Sequence, residues 1–148
     1  LCTFADGDTP IFVDRAVGDA DAALAWIRFH TDAPIVDEPH DATFAVIAEP
    51  GGVPAFDSFF PGTAEYPDRS TTIVVQVEEL SGAPGLTLEG PGINGVATVN
   101  ANPLPADFVE QLQRNRTLFP RGVDLVLASP QCLVALPRSL RVRMSREA

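Results

Sequence analysis

Lysine is missing altogether: the ten basic residues of this 148-residue chain are all arginine. A pyridoxal phosphate enzyme needs a lysine amine for its Schiff base, a phosphate-binding P-loop needs its terminal lysine, and amine-based covalent catalysis needs the same group. Those chemistries are excluded for these residues. Cysteine and histidine are nearly as scarce. Cys2 and Cys132 lie near opposite ends of the chain, and with His30 and His40 they show no paired ligand spacing, so no metal site is expected. Two such cysteines read as reduced, buried thiols, which favours a cytoplasmic address. Charge or proline interrupts every apolar run well short of the roughly 18 to 20 residues that a membrane helix requires, so no membrane association is expected. The sequence opens at Leu1 rather than methionine, so it carries no argument about a signal peptide.

What is present is a globular composition, 45% apolar and 20% charged, expected to form a single domain over residues 1–148. A chain of this length buries about two thirds of its unfolded surface and needs no staple. A net charge of -10 argues against nucleic acid, whose non-specific affinity comes from neutralised phosphates. The charge is uneven: residues 1–70 hold 13 acids and 3 arginines, residues 71–148 hold 7 acids and 7 arginines.

Helices among strands, several of them joined as hairpins, predict an α/β fold with a mixed sheet. Strands are expected at residues 10–14, 43–48 and 71–80, with Ile73, Val75 and Val77 on one face of the last. Residues 19–30 read as a helix, with Ala20, Ala23, Leu24 and Ile27 at helical spacing, acids first and Arg28 and His30 last. A short aromatic turn surrounds Phe56, Phe59 and Phe60. Residues 86–89 and 96–99 suggest a hairpin across a glycine-rich turn. A second helix should start near Pro105, bury Phe108, Val109 and Leu112, and end with Arg114 and Arg116. Residues 123–128 are nearly all apolar, as a central strand covered on both faces would be. Residues 132–136 run back from it, and Leu140, Val142 and Met144 alternate with Arg141 and Arg143 in a last strand.

Gly90-Pro91-Gly92-Ile93-Asn94-Gly95 has the glycine spacing of a dinucleotide-binding loop, but that loop must open a helix. Val96-Ala97-Thr98-Val99 is β-branched, so the segment reads as a hairpin turn. Arg28 and His30 are ligand candidates that double as ordinary helix-ending cations; two residues apart, they do not share a helical face. Asp124 interrupts an apolar strand and needs a partner. A register pairing Ala128 with Cys132 sets Asp124 opposite Leu136 and makes Arg138 its diagonal neighbour. A structural bridge and a ligand clamp are both open for this pair, because arginine's planar fork suits carboxylate and phosphate alike. The Arg141 and Arg143 stripe reads as a solvated face or partner surface. No serine elbow and no neighbouring cysteine–histidine pair supports nucleophilic catalysis, so the catalytic residues stay unknown.

Seven segments occur in an order that resembles the H subunit of the bacterial carbon-phosphorus lyase system, the PhnH family. They are Ala5-Asp6-Gly7-Asp8-Thr9-Pro10, Ile27-Arg28-Phe29-His30-Thr31-Asp32-Ala33-Pro34, Ala42-Thr43-Phe44-Ala45-Val46, Pro61-Gly62-Thr63-Ala64, Leu88-Glu89-Gly90-Pro91-Gly92-Ile93, Leu118-Phe119-Pro120-Arg121-Gly122-Val123-Asp124 and Ala135-Leu136-Pro137-Arg138. The resemblance implies a cytoplasmic subunit that acts with G, I and J subunits in a core complex. That complex joins a phosphonate to the ribose of ATP, releasing adenine and giving a ribose 1-phosphonate 5-triphosphate; carbon-phosphorus cleavage follows on a different subunit. It also implies a homodimer in isolation and a three-layer α/β/α sandwich resembling the pyridoxal-phosphate transferases but lacking that cofactor, with which the missing lysine agrees. ATP and phosphonate are then substrates of the complex, and no cofactor is expected on this chain. The motifs add Gly62, Thr63 and Gly122 to Arg28, His30, Asp124 and Arg138 as ligand-binding candidates. Family members carry several tens of residues, including a helical segment, before the point matching Leu1, so an N-terminal part of the domain is expected to be missing. The alternatives are a stand-alone binding module for a phosphorylated metabolite and an independent transferase or hydrolase, and the latter would need a nucleophile, base or metal set that the sequence does not display.

Overall fold

In a computed structural model, which describes residues 1–14 and 20–145, the strands form two sheets. The larger has six strands in the order β2-β1-β3-β4-β7-β8: β1 (Ile11–Val13), β2 (Ile35–Val36), β3 (Phe44–Ile47), β4 (Thr72–Gln76), β7 (Asp124–Ala128) and β8 (Leu133–Leu136). All pairs are parallel except β7 with β8, which form an antiparallel hairpin. The smaller sheet is antiparallel, in the order β6-β5-β9, with β5 (Glu79–Glu89), β6 (Ala97–Asn102) and β9 (Arg141–Met144). The expected α/β fold with a mixed sheet is what forms.

Two helices position the sheets. Helix α1 (Ala20–Thr31) covers β1 to β3 on one face, where Ile27 joins Ile11, Val13 and Ala33, with Leu24, Phe44 and Val46 against them. It ends where Thr31 turns its hydroxyl back onto Ile27 O at 2.7 Å and accepts the Ala33 N–H, just before Pro34. Asp19, the expected start, lies outside the described residues. Helix α2 (Phe108–Thr117) buries Phe108 and Leu112 on the opposite face and carries Arg114 and Arg116 in its last turn. The main core lies between that face (Ala45, Ile47, Ile73, Val75, Leu125, Leu127), α2, the buried Phe56 and Phe59, and the small sheet. The pleat explains the split: residues that pair across the strands share a face, so Phe44, Val46, Val74 and Val126 look one way and Ala45, Ile47, Val75 and Leu127 the other.

Several expectations are corrected. The apolar stretch 71–80 is not one strand: β4 stops at Gln76, and the chain crosses to the smaller sheet as β5. β7 is not central but next to the edge strand, and its burial alternates, with Leu125 and Leu127 inside and Val126 half-buried. The hairpin pairs Ala128 with Leu133 and Leu125 with Leu136, one residue away from the expected register. Met144 is 66% exposed rather than inside with Leu140 and Val142. Cys2 and Cys132 are both exposed, not buried. Among the described residues no helix is long and apolar enough to cross a membrane.

Candidate functional site

Arg138 is the hub of the best-formed polar cluster. It follows β8, and its backbone N–H donates to Asp124 Oδ1 at 2.8 Å while its Nε donates to the same oxygen at 3.1 Å. Nη2 is ion-paired with Asp124 Oδ2 and also donates to Ser70 Oγ at 2.6 Å. Nη1 donates to Pro67 O at 2.5 Å and reaches Pro120 O at 3.5 Å. A guanidinium has five N–H groups, and here each points at a protein acceptor. The pair is well shielded, with side-chain exposures of 13% for Arg138 and 31% for Asp124. The Asp124–Arg138 contact therefore forms despite the shifted register: the fork bends back across the turn after β8 instead of meeting a diagonal neighbour.

Three more candidates surround this cluster because the backbone there requires them. Gly62 has φ +76°, and a Cβ on it would lie 2.8 Å from Pro67 O, the same residue that holds Arg138. Thr63 closes the adjoining turn, its N–H donating to Tyr66 O and its hydroxyl oxygen accepting the Tyr66 N–H at 3.0 Å. Gly122 has φ +125°, and a Cβ would meet Asn115 Oδ1 at 2.8 Å; its N–H donates to Pro61 O. Asn115 in turn clamps Val123, accepting its N–H and donating to its carbonyl, both at 2.9 Å. Ser70, Pro67 and Asn115 are not among the sequence-based candidates, because their roles come from tertiary contacts that no local pattern announces.

Arg28 and His30 stay apart from the cluster. Both are exposed on the last turn of α1. They lie toward the same end of the large sheet as Asp124, but β2 and β7 are separated by four strand spacings, about 19 Å. The His30 ring sits 4.3 Å from Trp26 and 5.1 Å from Phe29. Asp124 opens β7, which places the Arg138 cluster at the amino ends of the parallel strands, opposite the carboxyl ends where open α/β sheets usually bind ligands. At the other resemblance motifs, the Thr9 hydroxyl and then the Asp8 N–H hold the exposed Asp6 carboxyl below its ordinary range. Among the described residues there is no grouping of three or more histidine, cysteine or acidic side chains able to hold a metal.

Two cavities adjoin α2. One, about 410 Å³, lies between the helix and the Phe56 turn and is lined in part by Asp57, Asp107, Gln111 and Arg114. Gln111 is committed within it, accepting the Phe56 N–H at 2.8 Å and donating to Asp107 Oδ2 at 3.0 Å. The other, about 510 Å³, opens at the far end of the helix beside β9.

Comparison with known proteins agrees with these motifs. The family model described as bacterial phosphonate metabolism protein (PhnH) matches residues 1–143. This chain belongs to the PhnH family. Within or near that family, it is 41% identical over 140 residues to the alpha-D-ribose 1-methylphosphonate 5-triphosphate synthase subunit PhnH of Rhizobium meliloti (strain 1021), covering 95% of this chain and 70% of that protein. It is 30% identical over 83 residues to the putative C-P lyase subunit protein HtxG of Stutzerimonas stutzeri, covering 56% of this chain and 43% of that one. Several PhnH motifs thus coincide with close contacts: Gly62 against Pro67, Gly122 against Asn115, and Asp124 with Arg138.

Proposed function

We propose that this chain is the H-type subunit of the assembly that transfers a phosphonate to the ribose of ATP with release of adenine, acting in the cytoplasm with G, I and J subunits. The observation that carries this reading is the 41% identity to the Rhizobium meliloti synthase subunit across 95% of the chain. The protein contributes binding surface and no complete active site of its own, needs no pyridoxal phosphate, and forms a homodimer when alone. The finer fold reading is a three-layer α/β/α sandwich like that of the pyridoxal-phosphate transferases, supported by α1 and α2 on opposite faces of the large sheet. Arg28, His30, Gly62, Thr63, Gly122, Asp124 and Arg138 remain its ligand-binding candidates. A ligand at Arg138 would have to exchange with one of the protein acceptors now taken.

Partner contact has physical support in an apolar strip on the α1 face of the large sheet. Phe4 is 73% exposed and stacks on Phe44, and beyond α1 the strip continues through the half-buried Val74 and Val126 to Ala135 and Leu133. Contiguous exposed apolar surface of this kind marks interaction sites. The test is co-expression of the full-length protein with tagged G, I and J subunits. Stoichiometric recovery of all four is expected, and recovery of G, I and J without it would reject the subunit reading.

A further inference from the structure

Helix α1 packs Leu24 and Ile27 against the large sheet, yet its outer face is apolar as well. Ala22, Ala25, Trp26 and Phe29 follow the i, i+3, i+4, i+7 spacing of one helical stripe, and all four are exposed. Trp26 is 55% exposed and Phe29 84%. Single surface aromatics are ordinary, but two rings on one stripe of a helix whose other side already faces the core leave a patch that a partner can cover. Among the described residues the ring contacts of Trp26 and Phe29 are with His30, itself exposed on the same helix.

The stripe is symmetric about its midpoint, between Ala25 and Trp26. Turned end for end against a second α1, it sets Phe29 of one copy opposite Ala22 of the other and Trp26 opposite Ala25, a large side chain against a small one at every position. The alanines let the backbones approach, and the rings fill the space beside them. Charge follows the same symmetry. Asp21 and Arg28, seven residues and so about two turns apart, lie on one flank of the stripe, both exposed. In an antiparallel pair like flanks meet, which brings Asp21 of each copy to within about 3 Å, along the axis, of Arg28 of the other. Parallel packing would instead set Asp21 on Asp21 and Arg28 on Arg28. Neither side chain has a partner among the described residues.

We infer that the outer face of α1 is a two-fold contact between two copies of this chain, antiparallel, with the Trp26 and Phe29 rings seated on alanines and flanked by two reciprocal Asp21–Arg28 pairs. Such a contact is isologous, the form that closes a dimer. A 12-residue helix is about 18 Å long, so the buried area is at the low end for a specific complex and association depends on concentration. This contact deepens the homodimer reading proposed above and rests on it. It is separate from the apolar strip beyond α1 that faces the partner subunits.

The experiment is sedimentation velocity of the purified full-length protein over a concentration series. A monomer–dimer equilibrium is expected. Phe29→Asp should weaken it at least tenfold, whereas Val96→Asp, at an exposed apolar position beside the small sheet, should stay within twofold of the parent. Asp21→Arg and Arg28→Asp should each weaken association at least threefold. An equimolar mixture of those two variants should recover the wild-type dimer, because each copy then offers the charge the other lacks. Wild-type protein that is monomeric throughout would overturn the homodimer reading together with this contact. A dimer unmoved by Phe29→Asp, or a mixture that associates no better than its components, would overturn the contact alone. Should Phe29→Asp fail to fold, the charge-swap mixture decides.

Discussion

Arg138 does the work of several ordinary turn contacts at once, tying the start of β7, the Pro67 turn and the segment after α2 to one guanidinium. Removing it leaves the Asp124 carboxylate partly buried and short of donors. Arg138→Ala should therefore cost about 3 kcal/mol, the lower end of what breaking a buried pair costs. Lysine should recover only part, because a single ammonium cannot span Ser70, Pro67 and both Asp124 oxygens. A double-mutant cycle with Asp124→Asn, read by denaturant unfolding, should give a coupling of at least about 1 kcal/mol. Coupling near zero would show that the pair is not a unit. The glycines beside it make a sharper claim. Gly122→Ala and Gly62→Ala each put a Cβ at 2.8 Å from an oxygen at a positive φ, so each should destabilise by about 1 to 3 kcal/mol. Gly51→Ala, where nothing lies within 4 Å, is the neutral control.

At the scale of elements, α2 is held to β7 by Asn115, whose amide satisfies both backbone groups of Val123. Asn115→Ala should cost about 2 kcal/mol in thermal or chemical unfolding, since it strands a buried N–H and a buried C=O. A loss below about 0.5 kcal/mol would mean water takes its place. Both helices, β3, the β5–β6 hairpin and the β7–β8 hairpin were legible in the sequence because each has a single period and clear end signals. The break between β4 and β5 was not, because Val77 is buried like the strand residues before it and nothing local marks a change of sheet. The hairpin register slipped by one because Ser129 and Cys132 close the turn through their own bonds, Ser129 N–H to Cys132 O at 2.9 Å, which pushes the first cross-strand pair out to Leu133. Asp124 with Arg138 was visible as a lone charge in an apolar strand. The cavity beside β9 was not, because its lining from α2, β5 and β9 is brought together only by the pairing of β5 with β9 and the packing of α2 on it.

Among the described residues, the large sheet has one well-packed face and one that is poorly covered. The small sheet and α2 bury one side of the large sheet, whereas α1 protects only the β1 to β3 end of the other. Leu133, 68% exposed on the edge strand, is the natural probe of that surface. Leu133→Asp should change stability by no more than about 0.5 kcal/mol, as surface substitutions do, while reducing recovery with the partner subunits. Undiminished recovery would remove the strip from the contact. Action as a subunit rather than as a free enzyme is read out by adenine release from ATP and methylphosphonate. Purified G, I and J subunits are assayed with and without the full-length protein, and the protein is assayed alone. Release should depend on the combined subunits, with none from this protein by itself. Adenine release by the isolated protein at the rate of the assembly would contradict action as a subunit.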